Sequence, residues 1–163
     1  MKVALAGVAA AIAFSLQPAI ADTSAPAVPT AAPGHPEARP FGDPDRATHD
    51  VADALARARA NGHRLLLVFG ANWCHDSRAL AGWFATPRFA EMLGTRYEIV
   101  WIDVGQKDRN LDLARRFGLD GITGTPTVLM LDSAGKPLNL EDAPRWHDAS
   151  TRSEDKIYRY FAR

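Results

Sequence analysis

Small and apolar residues recur at helical spacing between residues 43 and 61. They are Ala47, Val51, Leu55 and Ala58. The preceding Asp43-Pro44 is typical of a helix start and the following Gly62 of a helix end, so the pattern predicts an amphipathic helix. Residues 64–70 then form a continuous apolar run of strand length, which predicts a strand covered on both faces.

The rest of the chain alternates between helical and strand patterns. Helices are predicted at residues 74–84, 87–93, 110–117 and 151–161, and strands at residues 97–104, 127–131 and 137–140. Taking the two helices between the first strands as one connection, the order is a helix followed by β-α-β-α-β-β-α. Such alternation, with no internal repeat, predicts an α/β fold.

The first 21 residues have the three parts of a secretory signal peptide. Lys2 precedes an apolar run from Val3 to Leu16, and Ala19-Ile20-Ala21 matches a cleavage site. The alternative is a membrane anchor, but the apolar run is shorter than the roughly 20 residues that span a bilayer. We therefore expect cleavage near Ala21 and a periplasmic or secreted product in an oxidising compartment.

Residues 22–42 are rich in Ala, Pro and Thr and show no apolar periodicity. This composition favours an extended and mobile backbone, so the segment is predicted to be a disordered linker. The remaining residues, 43–163, are enough for one domain with one hydrophobic core.

The charges balance, with 19 Lys and Arg against 19 Asp and Glu. This balance gives no support for nucleic-acid binding, and no membrane partner is expected after signal cleavage. We expect no cofactor. A zinc site from Cys74, His75 and a distant histidine would lack the usual ligand spacing, so no metal site is expected.

Cys74 is the single cysteine, and it lies where the predicted strand at residues 64–70 turns into a helix. Backbone N–H groups and the helix dipole at such a position stabilise a thiolate, the nucleophilic form of the side chain. A lone cysteine can also be an inert core residue. The polar and aromatic neighbours of Cys74 favour the reactive interpretation, and an odd cysteine in a secreted protein points to intermolecular pairing.

A resemblance to the thioredoxin superfamily rests on two segments. The first is Phe69-Gly70-Ala71-Asn72-Trp73-Cys74-His75-Asp76-Ser77, which is similar to the family's Trp-Cys-x-x-Cys site after a buried strand. The second is Gly124-Thr125-Pro126-Thr127 before an apolar strand, which is similar to its cis-proline loop. The resemblance implies a thioredoxin-like fold with a mixed central sheet, over roughly residues 46–163. It also implies a cis bond before Pro126 and a substrate-binding site formed by Trp73, Thr125 and Pro126.

Two positions depart from the family pattern. Ser77 stands in place of the resolving cysteine, so a mixed disulfide at Cys74 must wait for an outside thiol. Val68 stands where thioredoxins have a buried acid that serves the resolving thiol. A protonated His75 would favour the Cys74 thiolate, an inward-facing Asp76 would disfavour it, and Ser77 could donate a hydrogen bond to it. The candidate catalytic residues are therefore Cys74, His75 and Ser77.

Three functions compete. The first, which we expect, is a monothiol redox protein that forms mixed disulfides with cysteine-containing client proteins or small thiols. The second is a non-catalytic binding module that holds a partner on a surface around Trp73, Pro126 and Trp146. The third, a cysteine hydrolase, would need His147-Asp148 beside Cys74, and no nucleophile signature supports it.

Overall fold

The computed structural model of this chain describes residues 34–163. The predicted signal peptide and most of the predicted linker lie outside the described residues. Within the described part, no helix is both long enough and apolar enough to cross a membrane.

The helices and strands lie close to their predicted positions. The helices are α1 (Ala47–Asn61), α2 (His75–Ala85), α3 (Pro87–Gly94), α4 (Leu111–Arg116) and α5 (Glu154–Phe161), and the strands are β1 (Arg64–Gly70), β2 (Tyr97–Asp103) and β3 (Thr127–Leu131). Short 3-10 helices form at Pro44–Arg46, Ala143–Trp146 and Ala149–Thr151. The chain leaves α1 through Gly62, whose φ of 77° is a conformation that favours glycine.

The strands form a mixed sheet in the order β2-β1-β3. β1 pairs in parallel with β2, with Arg64 opposite Tyr97 and Gly70 opposite Asp103, and it pairs antiparallel with β3. Because parallel strands need a crossover connection, α2 and α3 lie between β1 and β2 in the chain. The predicted α/β fold with a mixed central sheet is confirmed.

β1 divides the core into two layers, because successive side chains of a strand point to opposite faces. Leu65, Leu67 and Phe69 join the layer that α1 and α4 cover, whereas Leu66 and Val68 join the layer under α2, α3 and α5. All five side chains are fully buried, as the continuous apolar run predicts. The end of β1 that leads to Cys74 is therefore held by packing on both faces.

Residues 137–140 do not form the predicted fourth strand. Pro137 makes one isolated bridge with β3, and it has no N–H to continue the ladder. Asn139 accepts a hydrogen bond from Met130 N (2.7 Å) and donates one to Val128 O (2.9 Å). This side chain takes two backbone groups that a fourth strand would use, so the regular pairing ends at β3.

Residues 35–42, which we call the N-terminal arm, pack on the domain, although their composition predicts a linker. Phe41 anchors the arm: it is 5% exposed and belongs to the core layer under α2. Its ring meets Trp101 edge-on, with 5.4 Å between ring centroids. Apolar periodicity could not reveal this contact, because one aromatic side chain in a Pro-rich segment makes no pattern.

The arm also approaches the backbone of α2. Ala38 N donates to Arg78 O at 3.1 Å. A Cβ atom placed on Gly82 would lie 2.1 Å from Pro36 O, so the absence of a side chain at this position lets the arm lie against the helix. The arm is thus fitted to one face of α2.

Candidate functional site

Cys74 occupies the N-cap position of α2, directly after the turn that follows β1. Its backbone is extended (φ −78°, ψ 123°), its N–H donates to Ala71 O, and its carbonyl accepts from Arg78 N. The residue is 8% exposed, and its thiol donates to Thr125 O with 3.2 Å between Sγ and oxygen. The sulfur therefore lies between the start of α2 and the loop before β3.

The loop before β3 brings Thr125 and Pro126 to the Cys74 side of the sheet. The peptide bond between these two residues is cis, as the resemblance implies. Both residues are buried, and Thr127 Oγ1 donates to Gly124 O at 2.8 Å, which closes the loop at its base. The backbone of Thr125, through its carbonyl oxygen, is the part of this loop that meets the sulfur.

Trp73 supplies an exposed aromatic surface next to Cys74. Its side chain is held in place by a hydrogen bond from the indole N–H to Gly105 O at 2.8 Å. Although fixed in this way, the residue remains 48% exposed. A rigid and half-exposed indole is the type of side chain that anchors partners at protein interfaces.

Ser77 lies one turn into α2 and is fully buried. Its Oγ atom has no hydrogen-bond partner among residues 34–163, so the expected hydrogen bond to Cys74 is not formed. A Cβ atom placed on Gly70 would lie 2.6 Å from both Ser77 Oγ and Phe41 Cζ. The hydroxyl is therefore enclosed by β1 and the N-terminal arm.

His75 contacts the N-terminal arm. Its Nε2 lies 3.0 Å from His35 Nε2, and its Nδ1 lies 3.0 Å from Glu37 Oε1. Arg78 Nε donates to Glu37 Oε2 at 2.9 Å, and this hydrogen bond lowers the pKa of Glu37. The imidazole, which is more than half exposed, thus belongs to a polar cluster on the surface of the arm and α2.

A protein family described as thioredoxin-like matches residues 46–133, more than half of the chain. The chain belongs to the thioredoxin-like family. Among solved structures, a disulphide isomerase from Xylella fastidiosa Temecula1 is 35% identical, and the match covers 77% of this chain and 95% of that one with a TM-score of 0.71. A thioredoxin from Thermus thermophilus is 20% identical, with 68% and 79% coverage and a TM-score of 0.47. A DsbH oxidoreductase is 23% identical, with 53% and 65% coverage and a TM-score of 0.42. A comparison with curated proteins finds no match.

In this thioredoxin-like chain, Val68 stands in place of the buried acid of thioredoxins, and Asp76 follows Cys74 by two residues. Val68 is fully buried, opposite Trp101 on β2 and Val128 on β3, so an apolar side chain fills its position. Asp76 Oδ1 accepts a hydrogen bond from Ser150 N at 2.8 Å. This carboxylate therefore joins α2 to the 3-10 helix at Ala149–Thr151.

Trp146 is not part of an exposed binding surface. It is 1% exposed, and its ring stacks on Phe161 with 4.9 Å between centroids, so it is a core residue. His147 Nδ1 lies 2.9 Å from Pro144 O, and Asp148 pairs with Arg152 at 2.7 Å. His147 and Asp148 therefore do not form the histidine–carboxylate pair that a cysteine hydrolase would need.

Sequence reasoning missed the contribution of the N-terminal arm to the surface around the site. His35, Glu37 and His75 each offer one donor atom that could bind a metal, and these atoms lie within 4.8 Å of one another. The available signal was His35-Pro36-Glu37, two potential metal ligands close together in an otherwise Ala- and Pro-rich segment. The expectation of no metal site considers only histidines near Cys74 or farther along the chain, because residues 22–42 have the composition of a linker.

Proposed function

We propose that this protein is a monothiol exchange protein, in which Cys74 forms mixed disulfides with cysteine-containing clients or small thiols. The observation that carries the proposal is the place of Cys74 at the N-cap of α2, with Sγ 3.2 Å from the carbonyl that precedes the cis-proline. The similarity to a disulphide isomerase that is 35% identical supports the same chemistry. A cleaved signal peptide and an oxidising compartment, periplasmic or extracellular, are part of the proposal.

Exchange requires that Cys74 first loses the proton that it donates to Thr125 O. The thiolate then attacks one sulfur of a client disulfide: an S–S bond to Cys74 forms, the client S–S bond breaks, and the leaving thiolate takes up a proton. A second client thiolate, or a small thiol, attacks the mixed disulfide and releases Cys74. If that thiolate belongs to the same client, the disulfide has moved without net oxidation, so one cysteine suffices for isomerisation.

Trp73 and the Thr125-Pro126 loop flank the sulfur and are proposed to hold the client. Trp73 offers apolar surface, and an extended client segment would lie along the loop backbone beside it. Neither His75 nor Ser77 makes a hydrogen bond to Cys74 among the described contacts, so we assign neither a direct role in the exchange step.

The burial of Cys74 favours a second candidate, a non-catalytic binding module. At 8% exposure, and with its thiol bonded to Thr125 O, the cysteine has the surroundings of a core residue. In this case Trp73 and the adjacent loop would hold a partner without a covalent step.

Trapping of mixed disulfides distinguishes the two candidates. The full chain is incubated with a disulfide-scrambled protein and analysed on non-reducing gels. For exchange, we expect a thiol-sensitive adduct with wild type and none with Cys74→Ala. Trp73→Ala should slow adduct formation about tenfold, which corresponds to about 1.4 kcal/mol of lost contact. Leu138→Ala, which removes a similarly exposed (49%) apolar side chain next to Met130, is the control and should have no effect.

The opposite result would support the binding module. In that case wild type forms no adduct, and wild type and Cys74→Ala capture the client equally well without a covalent bond. Trp73→Ala would then weaken capture in both backgrounds.

A further inference from the structure

Two imidazoles and a carboxylate meet where the N-terminal arm crosses the first turn of α2. His35 Nε2 and His75 Nε2 are 3.0 Å apart, and one donor atom from each of His35, Glu37 and His75 lies within 4.8 Å of the others. Two nitrogens bound to a tetrahedral zinc ion at about 2.0–2.1 Å are separated by about 3.3 Å. His35 faces Nε2 of His75 whereas Glu37 Oε1 faces Nδ1, so rotation of these surface side chains is needed to place all three groups around one ion.

The contacts around the cluster turn the two Nε2 atoms toward each other and hold Glu37 beside them. His35 Nδ1 lies 3.3 Å from Pro36 O, and because a carbonyl only accepts, Nδ1 carries the proton in the neutral ring. The lone pair of His35 Nε2 is then directed at His75. Arg78 Nε donates to Glu37 Oε2, and Glu37 Oε1 lies 3.0 Å from His75 Nδ1, from which it must turn to reach an ion between the two imidazoles. Such outer contacts fix metal-binding side chains in known sites.

We propose that His35, Glu37 and His75 bind one divalent metal ion of the zinc type. Imidazole nitrogen with carboxylate oxygen is a donor set that zinc accepts, and three protein ligands leave a position for water. All three side chains are at the surface, so an ion can reach them from solvent.

The ion would join two separate parts of the chain. His35 and Glu37 belong to the arm and His75 to α2, so bound metal would hold the arm over the buried Ser77 and beside Gly82. Binding to the folded state alone raises stability, so zinc should raise the melting temperature. This proposal does not depend on thiol exchange at Cys74.

Calorimetric titration of metal-free full-length protein with Zn²⁺ tests the site. We expect one equivalent bound by wild type, with affinity at least about tenfold lower in His35→Gln and His75→Gln, and also reduced in Glu37→Gln. His147→Gln is the matched control, because His147 is also an exposed histidine whose Nδ1 faces a carbonyl, and it should bind as wild type does. Cys74→Ser should also leave the affinity unchanged.

Packing of the arm gives an independent test. Gly82→Ala puts a Cβ against Pro36 O and should displace the arm, which lowers zinc affinity without removing a ligand. Gly94→Ala is the control, because a Cβ there meets nothing within 4 Å. Circular dichroism of each variant confirms that it is folded.

Three outcomes would overturn the proposal. They are no zinc binding by folded wild type, zinc binding that survives both histidine substitutions, and zinc binding that is lost in Cys74→Ser. With Co²⁺ as the probe, a thiolate charge-transfer band in the spectrum would assign the metal to Cys74 and would equally contradict the site.

Discussion

Ser77 and Thr127 are both fully buried hydroxyl residues, and they differ in their hydrogen bonds. Thr127 Oγ1 donates to Gly124 O at 2.8 Å, whereas Ser77 Oγ has no partner within residues 34–163. A buried hydroxyl without a partner has lost its bonds to water and gained none. Ser77 is therefore a local weakness in the core, at the position where a dithiol relative would have its second thiol.

We predict that Ser77→Ala leaves the free energy of unfolding unchanged or raises it, because removing an unbonded hydroxyl leaves no group unpaired. Thr127→Val should lower it by roughly 1–2 kcal/mol, since Gly124 O then loses its donor while the side-chain volume stays similar. Urea denaturation of the two variants measures both values. A destabilisation of Ser77→Ala equal to that of Thr127→Val would mean that the Ser77 hydroxyl is bonded.

The sequence predicts the surroundings of the candidate site only in part. The strand-to-helix pattern predicts that Cys74 begins a helix, and the resemblance to the thioredoxin superfamily implies that Thr125 lies close to it. The sequence could not predict that the Ser77 hydroxyl is buried without a hydrogen bond to Cys74. Phe41, whose ring lies close to the same point beside Gly70 as the Ser77 hydroxyl, belongs to a segment without any pattern.

Between elements, α1 and β2 are joined by a polar contact at one end of the helix. Glu98 on β2 accepts hydrogen bonds from Arg57 Nε and Asn61 Nδ2, both at 2.8 Å. Burial alone would raise the pKa of Glu98, but the hydrogen bonds from Arg57 and Asn61 outweigh it and lower the pKa. The ionised carboxylate is therefore the form that stabilises the docking of α1.

The lowered pKa of Glu98 determines how its contribution to the free energy of unfolding changes with pH. A carboxyl group with a lower pKa in the folded state adds stability above its unfolded pKa, near 4.5, and loses it as the pH falls through the folded pKa. Glu98→Gln should thus be less stable than wild type at pH 7, by roughly 0.5–1 kcal/mol because Arg57 is largely exposed. The difference should shrink as the pH drops below about 4.5.

Denaturation of Glu98→Gln and wild type between neutral and acid pH measures this difference. Glu91→Gln, on the exposed face of α3, is the control and should stay near wild type throughout. A Glu98→Gln deficit that stays constant with pH would show that the contribution of Glu98 does not depend on its charge.

The positions of most helices and strands are predictable, because each has a clear pattern of apolar residues. The exception, residues 137–140, has the apolar residues of a strand, with Leu138 and Leu140 left exposed at 49% and 40%. What excludes a strand there is the side chain of Asn139, which binds the backbone of β3. The pattern of apolar residues cannot reveal a single side chain that competes with backbone pairing.

At the scale of the whole molecule, the domain begins earlier than the predicted boundary at residue 43. The arm supplies Phe41 to the core, and Glu37 pairs with Arg78 at the surface of α2. The boundary could not be found from composition, because the Ala and Pro residues of the preceding segment continue through Pro36, Ala38 and Pro40. The contacts are long-range, and only the folded α2 provides the surface that they need.

The arm therefore contributes to stability, and its removal should be measurable. A chain that starts at Asp43 loses the burial of Phe41, which is worth roughly 2–3 kcal/mol. Because 1 kcal/mol shifts the melting temperature of a domain of this size by roughly 3–6 °C, the chain should melt about 10 °C below one that starts at Gly34. A chain that starts at Pro40 keeps Phe41 but loses the Glu37–Arg78 pair, an exposed contact that adds little to stability.

Differential scanning calorimetry of the three chains tests the order of their stabilities. We expect the chain from Gly34 to be the most stable, the chain from Pro40 to be close below it, and the chain from Asp43 to be the least stable. Phe41→Ala in the longest chain should reproduce most of the loss, because Phe41 is the buried hydrophobic residue among residues 35–42. Equal melting temperatures for all three chains would mean that the arm is not part of the folded domain. The packing of Phe41 near Ser77 would then add nothing to stability.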